Sequence, residues 1–462
     1  MSFRKKHFIS KKSLLGFNQY RRLRLAILRT TLLALLGILL ISYPVFLAPS
    51  TQAKPEQAHS ADSFIDSIGV AVHLGSQNTA YKHYEKIIKP RLQELGIHHI
   101  RDGLAFGDRE NQKKFHDLAK VGIKLTFVRD PRDVSQPGDV LTPEKAVKQA
   151  TSMVESLVAI EGPNEWDIQS HLQYQGQNFP EGVRRFQAEL YRKIKANKST
   201  DHLPILSPSM ANPDHVTLLG KVACDINNMH IYPGSQIPKE FNTRFIQNTK
   251  KLCGNKPIII TETGYHNAIH EPRNHKGISE QVAAKLIPRL FLEFFNRGIQ
   301  RTFVYELIDE HPNPKLDDKE KHFGLLRYDG SRKPAFIALR NLITLLKDSK
   351  TKSSKAFTPQ HLDYQLSGST FNVHHTLLQK RNGIFYLVLW QDFPGFNVQN
   401  KKEIIVVKKQ VFLTLNEPVS HATTYQPNDS IYPLMHYENE KKISLGILDY
   451  PLVVELVPGK NE

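Results

Sequence analysis

The sequence predicts an α/β protein in which a (β/α)8 TIM barrel is followed by a C-terminal β-sandwich. From Ile68 to about residue 348, eight short β-rich runs alternate with amphipathic helical stretches, as in such a barrel. No Gly-rich phosphate loop follows the first run, which disfavours a doubly wound open sheet. Beyond a Lys- and Ser-rich boundary at 349–356, seven short β-rich runs in about 110 residues predict the sandwich.

The predicted barrel strands are residues 68–74, 98–101, 124–129, 156–160, 204–207, 226–231, 257–262 and 301–306. Helical patterns lie between them at 81–95, 111–121, 143–154, 181–196, 239–252, 279–295 and 333–347, with a short piece near 214–222 before the sixth strand. Sandwich strands are predicted at 371–379, 384–390, 403–407, 411–415, 421–425, 443–448 and 452–457, and Asn382-Gly383 between the first two predicts a hairpin turn.

The formal charge of +17 is concentrated at the N-terminus. Residues 1–29 carry nine Lys and Arg and no acid, so the rest of the chain keeps only +8. A strongly basic chain invites a nucleic-acid partner, but more than half of this excess belongs to one short flank. We therefore expect no nucleic-acid binding.

An uncharged, mostly apolar run at 30–48 follows the basic flank. Its 19 residues would rise about 28 Å as a helix, just enough to span a bilayer. It is either a cleaved signal or a membrane anchor, and the remainder is expected to be exported to the periplasm or the cell exterior. The predicted segments are a cytoplasmic flank at 1–29, a signal or anchor at 30–53, a linker at 54–64, a catalytic barrel at 65–348 and an accessory sandwich at 349–462.

Glutamates stand at the ends of two predicted strands, where a (β/α)8 barrel carries its reactive residues. The fourth strand ends in the string IEGPNEWD at 160–167, which contains Glu165, and the seventh ends in ITETGY at 260–265, which contains Glu262. Two opposed carboxylates suit glycoside hydrolysis, since one protonates the leaving oxygen and the other attacks the anomeric carbon or activates water. Rim carboxylates held in salt bridges are the structural alternative.

These motifs resemble those of retaining glycoside hydrolases that have (β/α)8 barrels and catalytic glutamates at the ends of strands four and seven. That group includes β-xylosidases, mannanases and cellulase-like enzymes. The resemblance spans about residues 65–345, through GPNE at 162–165, TETGY at 261–265 and the pieces YE, FGLL, DG and KPA between 305 and 335. It implies that Glu165 is the acid/base and Glu262 the nucleophile of a double displacement on a poly- or oligosaccharide.

Two polar residues are predicted to assist the glutamates. Arg101 ends the second strand, and its guanidinium fork suits a carboxylate and would keep Glu262 ionised. A rim salt bridge with Asp102 or Asp130 is the alternative for this arginine. Asn164 carries an amide that suits the sugar 2-OH, an interaction that strengthens in the transition state.

Aromatic residues at the strand ends are further candidates for substrate binding. His230 and Tyr232 share one face of the sixth strand, so both can face the barrel mouth, with the tyrosine hydroxyl donating to Glu262. A core histidine with a surface tyrosine is the alternative. Many of the enzymes that the chain resembles end strand eight with a tryptophan under the sugar, which this chain lacks, so Trp166 or Tyr305 is expected to supply the stacking surface.

An acidic group follows the eighth strand. Glu306, with Asp309 and Glu310, is expected to bind sugar hydroxyls or a cationic amino-sugar, or else to cap the barrel. No metal or organic cofactor is predicted, because the histidine pairs at 98–99 and 374–375 lack metal-site spacing with partner ligands.

The two cysteines stand just before the sixth and seventh strands. Because neighbouring strands begin side by side at the bottom of a barrel, Cys224 and Cys253 are predicted to pair in an oxidising compartment. Two inert buried thiols are the alternative. For the whole chain, a catalytically inactive glycan-binding surface protein on the same fold is the alternative to an exported or membrane-anchored glycosidase.

Overall fold

The computed structural model describes residues 55–136, 138–238, 242–273, 275–348 and 357–459. The predicted basic flank at 1–29 and the signal or anchor at 30–53 lie outside the described residues. Among the residues that the structure describes, no helix is long and apolar enough to cross a membrane.

Eight parallel strands form the barrel, and the prediction of a (β/α)8 fold is confirmed. Two short strands, β1 (Glu56–Gln57) and β2 (His59–Ser60), and helix α1 (Ala61–Asp66) precede it. The barrel strands are β3 (Ile68–Ala71), β4 (His99–Gly103), β5 (Lys124–Val128), β6 (Leu157–Glu161), β7 (Ile205–Leu206), β8 (Asn227–His230), β9 (Ile258–Thr263) and β10 (Arg301–Val304). They are ordered β7-β6-β5-β4-β3-β10-β9-β8, and a parallel bridge between Leu206 and Ile226 closes the ring.

Helices surround the barrel and bury their apolar faces against it. They are α2 (Lys89–Leu95), α3 (Arg109–Lys120), α4 (Pro143–Met153), α5 (Glu181–Ala196), α6 (Val216–Leu219), α7 (Asn242–Cys253), α8 (Glu280–Asn296) and α9 (Pro334–Leu346). The helix predicted at 81–95 is continuous only from α2 onward, since a 3-10 turn and a π-type turn occupy 80–88. Pro90 lies in the first turn of α2, where its missing N–H has no helical acceptor to lose.

An apolar plug fills the centre of the barrel. The ring of Phe303 packs there with Ala159, Leu206 and Ile259. Gly69 makes room for it, because a Cβ at that position would clash with the Phe303 ring. This apolar cluster packs inside the ring of strands, whereas the charged residues of the cleft lie at the ends of the strands.

Two packed sheets form the C-terminal sandwich, as predicted. Its strands are β11 (His361–Leu362), β12 (Tyr364–Gly368), β13 (Val373–Gln379), β14 (Phe385–Gln391), β15 (Phe396–Asn397), β16 (Lys402–Glu403), β17 (Lys409–Leu415), β18 (Val419–Tyr425), β19 (Pro433–Glu438), β20 (Lys442–Ile447) and β21 (Leu452–Pro458). One sheet is β12-β17-β20, the other is β19-β18-β21-β14-β13-β2, and Leu387, Leu413 and Val454 are buried in their shared core. Strand β19 was not predicted, because its largely exposed side chains show no apolar alternation.

The structure corrects the predicted linker at 54–64. Strand β1 pairs with β11, and β2 pairs in parallel with β13, so this segment joins the sandwich. Ala58 and Phe64 are buried. An edge strand offers unpaired backbone N–H and C=O groups, which a polar segment can use without any apolar pattern in its sequence.

The two cysteines form a disulfide at the base of the barrel. Cys224 precedes β8 and Cys253 ends α7, and the bond spans a Cα–Cα distance of 5.8 Å. It links the segments that lead into two neighbouring barrel strands.

Candidate active site

A cleft of about 890 Å³ opens at the C-terminal ends of the barrel strands. Seven of the nine residues predicted to catalyse the reaction or bind substrate line it: Arg101, Asn164, Glu165, His230, Tyr232, Glu262 and Tyr305. Strand ends from opposite sides of the ring thus converge on one cavity, as the barrel fold requires.

The two predicted catalytic glutamates face each other in this cleft. One carboxylate oxygen of Glu165 and one of Glu262 lie within 4.8 Å of each other. Glu262 belongs to β9 and is 8% exposed, whereas the Glu165 side chain is 23% exposed. Glu165 adopts a left-handed backbone conformation with φ 53°, which costs a non-glycine residue about 1–3 kcal/mol and is typical of functional sites.

Arg101 connects the two sides of the mouth. From the end of β4 its guanidinium donates to both oxygens of Glu161, at 2.9 and 2.8 Å, and to the Asn164 side-chain oxygen at 2.7 Å. A further hydrogen bond reaches Glu262. Arg101 therefore binds the predicted nucleophile directly, and the alternative of a rim salt bridge does not describe its contacts.

Glu161 is a site residue that the sequence analysis missed. It is fully buried at the end of β6 and also accepts a hydrogen bond from the Thr261 hydroxyl at 3.2 Å. Burial raises its pKa, but the charge of Arg101 and hydrogen bonds from His230 and Arg101 outweigh this and lower the pKa to about 2. An acidic residue inside an otherwise apolar strand was the available signal, because a buried carboxylate requires a cationic partner.

His230 lies between the two glutamates. Its Nδ1 is 2.7 Å from the Glu165 carboxylate and 3.6 Å from that of Glu262, and its Nε2 is 2.9 Å from the Thr261 hydroxyl. Burial lowers its pKa, but the charge of Glu262 and contacts with Glu161 and Glu165 raise it to about 10. His230 is therefore a cation at neutral pH, with both ring N–H groups donating.

The contact with His230 also shifts the pKa of Glu165. Burial raises the pKa of the Glu165 carboxyl, whereas the hydrogen bond and charge of His230 lower it, with a net shift below the usual value. At rest, the proton between these two groups is held on the imidazole side. For Glu165 to act as an acid, it must receive this proton from His230, whose pKa is raised most strongly by the charge of Glu262.

Aromatic side chains complete the wall around Glu262. The Tyr232 hydroxyl donates to Glu262 at 2.7 Å, and burial and the Glu262 charge raise the Tyr232 pKa well above its usual value, so it stays a donor. The ring centroid of Tyr305 lies 6.4 Å from that of Tyr232 and 5.4 Å from that of Phe323, edge to face. Tyr305 thus offers an aromatic surface in the cleft at the end of the eighth strand.

Two predicted substrate contacts, Trp166 and Glu306, are buried and do not line the cleft. Trp166 is 2% exposed, does not line the cleft, and its indole N–H donates to Asp130 at 2.9 Å, because the left-handed turn at Glu165 directs the next side chain inward. Glu306 is fully buried and does not line the cleft; its carboxyl instead accepts a hydrogen bond from the buried Tyr81 hydroxyl at 3.0 Å. Burial and the nearby charge of Glu310 raise the pKa of Glu306 well above its usual value.

Asp130 holds the loop that carries Glu165. It accepts the Asn164 backbone N–H at 2.9 Å as well as the Trp166 indole, and it pairs with Arg132 at 2.7 Å. The loop after β6 is thereby attached to the end of β5 on both sides of the catalytic position.

Glu165, His230 and Glu262 each offer an atom to one possible cation position. The protein already supplies donors there, however: the imidazole N–H to Glu165, and the Tyr232 hydroxyl with Arg101 to Glu262. The carboxylates of this set are satisfied without an added cation.

Comparison with solved structures places this architecture among glycoside hydrolases. A family 39 glycoside hydrolase from Bacteroides cellulosilyticus WH2 aligns with a TM-score of 0.54 and 14% identity over 85% of this chain and 82% of its own. A glucosidase from Croceicoccus marinus gives 0.56 and 9% over 89% and 100%, and the catalytic domain of a family 30 xylanase C from Talaromyces cellulolyticus gives 0.50 and 11% over 88% and 99%. No protein-family model and no curated protein matches the chain. At these identities the likeness is one of structure, and the chain shares the barrel fold of these glycoside hydrolases.

Proposed function

We propose that this chain is a glycoside hydrolase that cleaves an oligo- or polysaccharide by a retaining double displacement. The observation that carries the proposal is the approach of the Glu165 and Glu262 carboxylates to within 4.8 Å in the cleft. Retaining enzymes place the two carboxyls about 5–5.5 Å apart, whereas inverting enzymes leave about 6.5–9.5 Å for a water molecule.

In the first step, Glu262 attacks the anomeric carbon and the bond to the leaving oxygen breaks. Arg101 and Tyr232 hold the Glu262 carboxylate ionised and oriented before the attack. As the ester forms, Glu262 loses the charge that most strongly favours the proton on His230. The proton then passes from the Nδ1 of His230 through Glu165 to the leaving oxygen, so that the alcohol departs neutral.

In the second step, Glu165 takes a proton from water as that water attacks the anomeric carbon of the glycosyl–Glu262 ester. The ester bond breaks, Glu262 regains its charge, and the proton returns to the pair formed by Glu165 and His230. Asn164, held by Arg101 at 2.7 Å, is placed to bind the sugar 2-OH in both transition states.

The size of the cleft supports an extended substrate. Ligand sites usually occupy about 300–1,000 Å³, and the volume here, about 890 Å³, lies near the upper end of that range. Tyr305 and Phe323 provide apolar surfaces against which sugar faces can pack, and several carboxylates that line the same cleft can accept hydrogen bonds from sugar hydroxyl groups.

We further propose that the barrel and sandwich act outside the cytoplasm. The basic flank and apolar run at 1–48 support export, either as a released protein or as one held in the membrane. The disulfide between Cys224 and Cys253 supports the same location, since such bonds persist in oxidising compartments.

One observation favours the alternative of a glycan-binding protein without turnover. The pKa of Glu165 is lowered in the resting site, so its carboxyl is ionised at neutral pH, when a general acid needs a proton. In that case the cleft would bind sugars through the same residues but would release no product.

A substrate screen separates the two functions. The full-length chain and its Glu165→Gln variant are incubated with a panel of plant, microbial and animal polysaccharides, and both released reducing sugar and glycan binding are measured. A hydrolase releases sugar from at least one glycan, and Glu165→Gln abolishes the release. Binding without release by the native chain would establish the glycan-binding alternative. Glu181→Gln, on the exposed side of α5, is the control and keeps full release.

A further inference from the structure

A second group of metal-ligating side chains lies beside the cleft. His73 follows the first barrel strand, and Glu306 and Glu310 follow the last, so neighbouring strands bring their loops together. The Ala80 backbone N–H donates to the Glu310 carbonyl at 3.1 Å, which fixes one loop against the other. One atom each of His73, Glu306 and Glu310 lies within 4.8 Å of the other two.

Two polar atoms in this group have no partner. Nε2 of His73 and Oε1 of Glu306 are buried, and neither makes a hydrogen bond to any residue that the structure describes. Glu306 is fully buried, and its second oxygen lies 3.7 Å from His73 Nε2, beyond hydrogen-bond reach. Buried polar atoms are almost always paired, so two unpaired atoms on neighbouring side chains of one group indicate a missing ligand.

The charge of the group points to a cation. Neither Glu306 nor Glu310 forms an ion pair with a lysine or arginine among the described parts of the chain, although they approach each other closely. Lys333, the nearest buried lysine in this region, pairs instead with Asp309 at 2.9 Å. Without a cation, two carboxyl groups this close avoid repulsion only when one of them is protonated, in line with the raised pKa of Glu306, whereas a bound cation would let both ionise.

We propose that His73, Glu306 and Glu310 bind a divalent transition-metal ion of the Zn²⁺ or Mn²⁺ type. Three atoms within 4.8 Å of one another always leave a point no farther than about 2.8 Å from each (4.8 Å divided by √3). Zn²⁺ binds nitrogen and oxygen at about 2.0–2.2 Å, so small side-chain movements close the shell. An imidazole with two carboxylates suits these ions better than Ca²⁺, which takes six to eight oxygen ligands.

The surroundings supply the support that metal ligands require. The buried hydroxyl of Tyr81 donates to Glu306 Oε2 at 3.0 Å, and such outer contacts orient ligands and tune affinity. The His73 ring also packs edge to face on Tyr305, with centroids 5.5 Å apart. The bound ion would thus join the loops that follow the first and last barrel strands, next to the cleft that His73 helps to line.

Zinc titration tests the proposal without reference to any sugar. Full-length protein freed of metal with a chelator is titrated with ZnCl₂ by isothermal calorimetry, and binding of Mn²⁺ is followed by electron paramagnetic resonance. The expected result is one strong site, with Zn²⁺ affinity at least about 100-fold weaker in His73→Ala and in Glu310→Gln. Tyr81→Phe, which removes only the outer contact, should weaken binding by about 10–100-fold.

Matched variants distinguish this site from the catalytic one. Glu165→Gln removes a ligand from the set formed by Glu165, His230 and Glu262, one of two further sets in the described residues, and should leave zinc affinity unchanged. The partly exposed Glu310 makes Glu310→Gln a variant that folds, and circular dichroism checks this. The proposal is overturned if native protein binds Zn²⁺ more weakly than 1 mM, or if affinity survives Glu310→Gln, or if it is lost in Glu165→Gln instead.

Discussion

Two clusters of buried charge, one at the barrel mouth and one between the barrel and the sandwich, differ in how they are balanced. In the interface cluster, Arg289 of α8 pairs with Asp392 at 2.8 Å, and both side chains are at most 1% exposed. Nearby, Glu293 accepts the Trp390 indole N–H at 3.1 Å and a hydrogen bond from His374. Apart from His374, whose side chain is 24% exposed, these residues are buried between the two domains, and all of them lie outside the cleft.

At the mouth, three carboxylates face two cations. Glu161, Glu165 and Glu262 share Arg101 and His230, which leaves one negative charge unbalanced, and four of the five residues line the cleft. The interface cluster holds the fold together, whereas the mouth cluster keeps a charge and a proton available to a ligand. Burial of charge alone therefore does not mark a reactive group; access and shared partners do.

The same substitution made in both clusters should have opposite effects. Glu262→Gln is expected to lower kcat/KM by about 10⁴-fold or more, because it removes the nucleophile, while the melting temperature changes little. Glu293→Gln should leave kcat/KM within about twofold but destabilise the protein by about 1–3 kcal/mol, since the amide keeps an acceptor oxygen but removes the negative charge that faces Arg297 and His374. Steady-state kinetics and thermal unfolding of both variants measure these effects. A comparable loss of activity in the two variants would contradict the assignment of different roles to the two clusters.

Removing one partner of the interface ion pair should destabilise the protein more than removing both, because a single removal leaves a buried charge without its partner. Arg289→Met leaves Asp392 buried and unpaired, which is expected to lower the free energy of unfolding by about 3–5 kcal/mol. Adding Asp392→Leu should restore much of that loss, because neither charge of the pair then remains buried. Urea unfolding measures both variants, and equal destabilisation of the single and double variants would contradict the pairing.

The disulfide between Cys224 and Cys253 is also expected to stabilise the fold. Cys253→Ser removes a cross-link between residues 29 positions apart. Because the cross-link restricts the unfolded chain, its loss is expected to lower the free energy of unfolding by about 3–4 kcal/mol without changing kcat. Native protein treated with dithiothreitol is the control and should match the variant in urea unfolding. A variant as stable as the oxidised protein would show that the bond adds nothing.

The mouth cluster should also have its own dependence of stability on pH. His230 has a pKa near 6.5 when unfolded and about 10 when folded, so its contribution is complete below pH 6.5 and is lost as pH rises through 10. The stability difference between native protein and His230→Gln should therefore shrink over that window, by up to about 1.4 kcal/mol per pH unit. Urea unfolding at several pH values measures it, and a constant difference would mean that His230 is neutral.

Strand periodicity accounts for most of the residues predicted correctly to line the cleft. Glu165, Glu262 and Arg101 stand at strand ends, and His230 and Tyr232 differ by two positions, so a barrel brings them together by its geometry alone. Their hydrogen bonds to one another could be anticipated only in part, because side-chain distances across the ring depend on packing.

The errors arise where the chain leaves the regular strand. Trp166 follows a residue in the left-handed region and turns inward, and Glu306, which lies beyond the end of β10, is directed to the buried Tyr81 hydroxyl. Neither direction can be read from spacing. The linker at 54–64 failed for another reason, since its pairing partners β11 and β13 lie about 300 residues later in the chain.

Double displacement by Glu262 with Glu165 is tested most directly by the anomeric configuration of the first-formed product. A glycoside that the full-length chain cleaves is hydrolysed in the spectrometer, and the anomeric proton of the released sugar is followed by NMR before mutarotation. Two carboxylates within 4.8 Å predict a product with the configuration of the substrate. A product of inverted configuration would contradict the mechanism.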